Sequence, residues 1–164
     1  MMTAVVALSS NLHAAEELTI AQLHQAVAEK KTTFKQTMQQ YLDQIAKVDQ
    51  QGPKLNAIIS LNPNAIKEAE AADKAFKKTG KLSPLQGVPV LLKDNVDTQG
   101  LLTTGGSLSL KNNVPDQDAF IAKKLKDAGA IVIAKANLHE FAVWGSGSSL
   151  RKRSASLRRQ SSAS

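Results

Sequence analysis

Two short apolar runs without a polar face restrict what this chain can become. The first is Val88 to Lys93 (VPVLLK). An extended strand alternates its side chains, so Val88, Val90 and Leu92 fall on one face and Pro89, Leu91 and Lys93 on the other. Both faces are therefore apolar until the lysine at the C-terminal end. The second run, Ala130 to Ala134, is rich in β-branched residues and directly follows Gly129. Strands apolar on both sides need a layer over each side, which points to helices packed on a sheet.

The rest of the chain supplies those helices. Thr19 stands three residues before Gln22 as a capping box, and Ile20, Leu23 and Val27 follow at helical spacing. A second box, Thr33 with Gln36, opens a longer helix whose Phe34, Met38, Leu42, Ile45 and Val48 draw one core-facing stripe before Gly52-Pro53 ends it. Leu55 to Leu61, between Pro53 and Pro63, reads as a further strand, and Asn64 to Lys78 as a helix closed by Gly80. Asp118 to Ala128 is amphipathic, with Gly129 at its C-terminal stop, and Asn137 with Glu140 is read as a capping box for a short helix. Helices thus alternate with strands, and the expected class is α/β: helices packed on a mixed β-sheet that is incomplete in this length of chain.

The ends differ from this middle. Residues 1–15 are apolar, small and uncharged, as in a signal peptide or a disordered leader, but they lack a basic n-region and their apolar stretch is short. Export to the periplasm or beyond and residence in the cytoplasm both stay open. The net charge of +7 is concentrated at the other end, where five of the 21 basic residues lie in residues 151–164, a segment with no acid. Residues 1–150 hold 16 basic against 14 acidic residues and are nearly neutral. The Arg/Ser tail, residues 150–164, is expected to be disordered, and its abrupt onset fits an out-of-frame translation after Leu150. As a genuine tail it offers a nonspecific phosphate contact or a basophilic kinase site at Arg158-Arg159-Gln160-Ser161. No aromatic interleaves those charges, so recognition of a specific nucleic acid is not expected. No run approaches the roughly 18 apolar residues of a membrane-spanning helix.

Lys93 carries the most chemistry. Ligands of open α/β sheets bind beyond the carboxyl ends of strands, where this lysine sits. An ordinary lysine is neutral in only roughly 1 of 2,500 copies at pH 7, a penalty of about 4.6 kcal/mol for use as a base. Burial beside Val90, Leu91 and Leu92 is expected to reduce it, while Asp94, as the next strand residue, points to the opposite face. A strand-end lysine that snorkels to the surface gives the same pattern.

Two longer strings decide between these readings. Pro84 to Leu110, PLQGVPVLLKDNVDTQGLLTTGGSLSL, resembles the first block of the amidase signature family. Asp116 to Ala142, DQDAFIAKKLKDAGAIVIAKANLHEFA, is similar to that family's following helix–strand–helix segment. The resemblance covers residues 16–149. It implies hydrolysis of carboxylic amides by a Ser–cis-Ser–Lys triad with Lys93 as the catalytic lysine, a small amide as substrate, no cofactor and no metal. Gly105, Gly106 and Ser107 fall in the family's substrate-side loop. A component of a tRNA-dependent amidotransferase is the alternative within the family, and a non-enzymatic protein with a nucleic-acid-binding tail the alternative outside it.

The two serines of that triad belong to a Gly-Gly-Ser-Ser-Gly-Gly-type motif and a later Asp-Gly-Ser-type motif, and neither string occurs in these 164 residues. Ser107, Ser148, Ser149, Ser161 and Ser162 lack the setting of a nucleophile elbow. The chain is therefore expected to be an N-terminal portion that is inactive alone, with an uncovered sheet edge inviting self-association, poor solubility or a partly molten state. Gly145 to Leu150 lacks the third glycine of a dinucleotide loop, and His13, His24 and His139 form no metal-binding pair.

Overall fold

A computed structural model of the chain describes residues 18–142. The leader, the Gly/Ser stretch from Gly145 to Ser149 and the Arg/Ser tail lie outside the described residues. Among the described residues four α-helices and three strands follow one another as α1 (Ile20–Ala28), α2 (Phe34–Ile45), β1 (Ile58–Leu61), α3 (Ala65–Thr79), β2 (Pro89–Lys93), α4 (Phe120–Asp127) and β3 (Ile131–Ala136). Thr19 accepts from the Gln22 N–H while the Gln22 side chain accepts from the Thr19 N–H, completing the expected box of α1. Thr33 caps α2 by accepting from the Gln36 N–H, and Gly80 closes α3 in the left-handed conformation. Sequence proximity did not reveal one further cap. Asp73 of α3 accepts the Phe34 and Lys35 N–H groups at 2.9 and 3.1 Å, bolting α2 to α3.

The strands form one mixed sheet in the order β1-β3-β2. β1 runs antiparallel to β3 and β2 parallel to it, with Lys93 opposite Ala136. The last strand in sequence is thus the middle strand in space. It is also the most apolar: Ile131 to Lys135 are all buried. Ile131 and Ile133 join Leu23, Val27, Phe34, Met38 and Ala69 in a core under α1, α2 and α3, whereas Val132 joins Leu92, Leu101 and Ala122 under α4. Helices on both sides of β3 give the layered α/β arrangement that its composition demands.

For β2 the expectation of cover on both faces is corrected. Leu92 is buried against α4, but Leu91 is 53% exposed and Lys93 is exposed. The reason is position: β2 is the edge of the described sheet, and the helical layer on the Leu91 side is centred on β3. An open edge with an exposed leucine invites strand pairing. Sedimentation velocity of the whole chain is therefore expected to show concentration-dependent association that Leu91→Lys diminishes; a monomer with a sharp cooperative melt would contradict this.

One glycine explains the start of β2. Gly87 has φ +68°, and a Cβ there would overlap the fully buried ring of Phe34. Gly87→Ala combines a left-handed backbone penalty with overpacking, and urea denaturation is expected to show a loss of about 3 kcal/mol.

Candidate active site

The C-terminal ends of β2 and β3 lie side by side, and the loop after β2 folds back over them. It is held first by backbone. The Asp94 N–H donates to Ala136 O at 3.0 Å, extending the β2–β3 pairing by one residue, and the Gly105 N–H donates to Asp94 O at 2.9 Å. Residues 94 and 105 are thereby joined, and the loop's glycines come to rest beside the strand end that carries Lys93. Gly106, at φ +71°, packs so closely on the β3 exit that a Cβ would stand 2.9 Å from Leu138 O. Only glycine fits that approach.

The predicted residues are thus brought together, though their exposures differ. Lys93 projects from the outer face of β2 and is exposed, so its own strand does not provide the burial expected for it. Gly105, Gly106 and Ser107 are buried. The Ser107 hydroxyl is 2.6 Å from Glu140 Oε1, to which it donates, and 2.8 Å from the Ser109 hydroxyl. The capping box expected between Asn137 and Glu140 is replaced by these contacts. Asn137 Oδ1 accepts from the Leu138 N–H, its amide donates to Asn56 O, and the chain at Glu140–Ala142 makes only a 3₁₀ turn, with Phe141 and Ala142 at positive φ. Glu140 braces the loop across 33 residues of sequence.

Beneath the loop lies a charge pair. Asp94 and Lys135 are both 0% exposed, with Lys135 Nζ 3.6 Å from Asp94 Oδ1. That separation permits charge attraction but is too long for a hydrogen bond. Asp94 Oδ2 accepts from both the N–H and the hydroxyl of Thr104, and Thr104 Oγ1 in turn accepts from the Gly106 N–H at 3.1 Å. The Lys135 ammonium donates to Val96 O and to Thr103 Oγ1, each at 2.7 Å. Burial pushes the Asp94 carboxyl above its ordinary range despite the Thr104 donors and the Lys135 charge. Burial likewise pulls the Lys135 amine below its ordinary range, against the attraction of Asp94. Asp94 faces away from Lys93, as strand alternation requires.

A groove of about 500 Å³ opens nearby between Asp97, Asn113 and residues 115–119. Asp118 in its wall is held by Lys126 at 2.7 Å and by the Gln99 N–H at 2.8 Å. Partial burial disfavours its charge, but those donors keep its carboxyl below the usual range. Among the described residues no helix is long and apolar enough to cross a membrane.

The amidase family model matches residues 36–152, well over half of the chain. The chain belongs to the amidase family. Among its relatives, a probable amidase of Arabidopsis thaliana is 42% identical over 136 residues, covering 81% of this chain and 26% of the relative. The A component of the glutamyl-tRNA(Gln) amidotransferase of Alkaliphilus metalliredigens is 39% identical over 132 residues, covering 80% and 26%. The peptide amidase of Stenotrophomonas maltophilia superposes with a TM-score of 0.72 at 41% identity, over 77% of this chain and 26% of that enzyme. This amidase-family chain thus spans about a quarter of the length of the relatives it matches. Its described residues form a partial amidase-signature fold, four helices on a small mixed sheet.

The buried partner of Asp94 was not anticipated, although a signal for it existed. Lys135 is a charged residue in the otherwise apolar run Ile131–Ala136, and a charge inside a doubly covered strand needs a partner.

Proposed function

We propose that this chain contributes the proton-accepting lysine, Lys93, to an amidase that hydrolyses carboxylic amides with a Ser–cis-Ser–Lys mechanism, the serines coming from sequence outside these 164 residues. In that reaction the serine hydroxyl adds to the amide carbonyl while its proton passes through the second serine to the neutral Lys93 amine. The C–N bond then breaks, the leaving amine takes a proton back, and water releases the acid from the serine ester. Gly105 and Gly106 border the substrate in this reading, and Ser107 braces the loop through Glu140.

The observation that supports it best is the closure of residue 105 onto residue 94, which sets the glycine loop directly beside the strand end of Lys93. A small amide is the substrate class, in keeping with the similarity to a peptide amidase. The 39% identity to a component of a glutamyl-tRNA(Gln) amidotransferase favours a second reading, glutamine hydrolysis within a larger assembly.

The test exchanges residues 18–142 into the corresponding segment of the Stenotrophomonas maltophilia peptide amidase. Ammonia release is then assayed from amidated peptides, simple aliphatic and aryl amides, and glutamine. Turnover dependent on Lys93 is expected, with peptide or simple amides preferred. Preference for glutamine would select the second reading, and turnover unaffected by Lys93→Met would overturn both. The 164-residue chain by itself is expected to release no ammonia from any of them.

A further inference from the structure

The proposed reaction uses one lysine, yet the loop beside it is organised around another. The Lys135 ammonium reaches two points that lie seven residues apart, the carbonyl of Val96 at the start of the loop and the hydroxyl of Thr103 near its end. The polarity is consistent: Thr103 donates its own proton to Leu101 O, leaving a lone pair for Lys135. Asp94 ties the following turn, with Oδ2 on both donors of Thr104 and Thr104 Oγ1 on the Gly106 N–H. Among the described residues Asp94 Oδ1 is buried without a hydrogen-bond partner, and the Lys135 ammonium lies 3.6 Å from it.

We propose that Lys135 is a positioning residue of the amidase site: counter-charged by Asp94, its ammonium clamps the loop at residues 96 and 103 and so fixes the turn at 104–107 against the strand end that carries Lys93. The clamp takes its catalytic meaning from the proposed role of Lys93 but is itself testable without it. An apolar side chain at 135 would leave the Thr103 hydroxyl short of a donor and the Asp94 carboxylate buried without its counter-charge, which is costlier than an apolar interior. The device needs both members, since a half-satisfied buried network is the unstable form. Two further charges act on Lys135, Asp97 from the loop, which favours its ammonium, and Lys126 from α4, which opposes it.

The test is amide hydrogen exchange, corrected for intrinsic rates, on the full chain at low micromolar concentration. Wild type, Lys135→Met, Asp94→Asn and the double variant are compared across pH. In Lys135→Met the amides of Thr104, Gly105 and Gly106 are expected to lose protection at least about tenfold beyond any change in α2 and α3, because the opening is local. Because burial raises the Asp94 carboxyl in the closed loop, wild-type protection of the Thr104 amide, which rests on Asp94 Oδ2, is expected to rise on acidification as that carboxyl takes up its proton, and to decline again as pH rises through the raised value. That acid limb should move to higher pH in Lys135→Met, where the carboxylate has lost its counter-charge, and vanish in Asp94→Asn.

Loop protection that is unchanged, or that falls only in step with the helices, overturns the clamp, as does an acid limb that stays in place in Lys135→Met. Should Lys135→Met fail to fold, Asp94→Asn decides: selective loss at Thr104 and Gly106 without an acid limb supports the clamp, and wild-type behaviour overturns it. A clamp upheld here, together with turnover indifferent to Lys93→Met in the exchanged enzyme, would keep the clamp and remove only the catalytic reading of Lys93.

Discussion

Lys93→Met is expected to lower kcat for amide hydrolysis by on the order of 10⁴ in the exchanged enzyme while leaving KM nearly unchanged. Methionine keeps the length and apolar stem of lysine but cannot hold a proton, so substrate contacts survive and the proton path does not. Lys93→Arg is expected to be equally inactive. A guanidinium donates hydrogen bonds but does not give up its proton, so the positive charge at the strand end is retained while the base is lost. The pair of variants separates two roles that a single substitution confounds. If the lysine only held an anionic substrate, arginine would restore much of the rate and methionine would raise KM. Steady-state kinetics on the two variants distinguishes these outcomes.

The magnitude follows from the role, since a positioned acid–base group contributes about 10²–10⁴-fold to the rate and here it takes the nucleophile's proton. In the described residues Lys93 is exposed and its face of β2 is open at Leu91. In the proposed enzyme the cover that dries this amine is supplied by sequence outside residues 18–142, since the matched segment is about a quarter of the length of its amidase relatives. The exposed leucine and the exposed lysine are on this view one surface, apolar at one position and reactive two positions later.

Local signals predicted local structure well here, and failed where a partner lay far along the chain. The helix starts at Thr19 and Thr33, the stop at Gly80 and the strand after Gly129 were legible because each is set by residues within four positions of itself. Asn137 and Glu140 have the spacing of a capping box, but Ser107 and Asn56, 33 and 81 residues away, compete for their side chains and win. The β2 alternation correctly set Asp94 opposite Lys93. It said nothing of what awaited each face, so the lysine expected to be buried is exposed and the carboxylate beside it is buried. Lys135 was readable as an anomaly in an apolar strand, but its three partners, Asp94, Val96 and Thr103, are supplied by another strand end and its loop, which periodicity does not reach.

Lys135→Met is expected to destabilise the chain by about 3–5 kcal/mol, and Lys135→Met with Asp94→Asn to recover a large part of that loss. The single change leaves a carboxylate in the interior with its counter-charge gone; the double change removes the orphan and substitutes a neutral amide that still accepts from Thr104. Urea denaturation across pH also tests the direction of each titration shift. Because burial raises the Asp94 carboxyl in the fold, the native state binds more protons than the unfolded chain just above the ordinary carboxylate range. Stability from this group is full below that range and is lost as pH rises through the raised value. Lys135 is shifted the other way, so its contribution is full above the ordinary lysine range and is lost as pH falls through the depressed value. Asp94→Asn should flatten the acid-side slope, Lys135→Met the alkaline-side slope, and the double variant both. In Lys135→Met the acid-side decline should extend to higher pH, because a carboxyl without its lysine holds its proton longer. Slopes that do not move with either substitution would mean that the two groups are solvated in solution, and the buried pair would then no longer account for the loop's position.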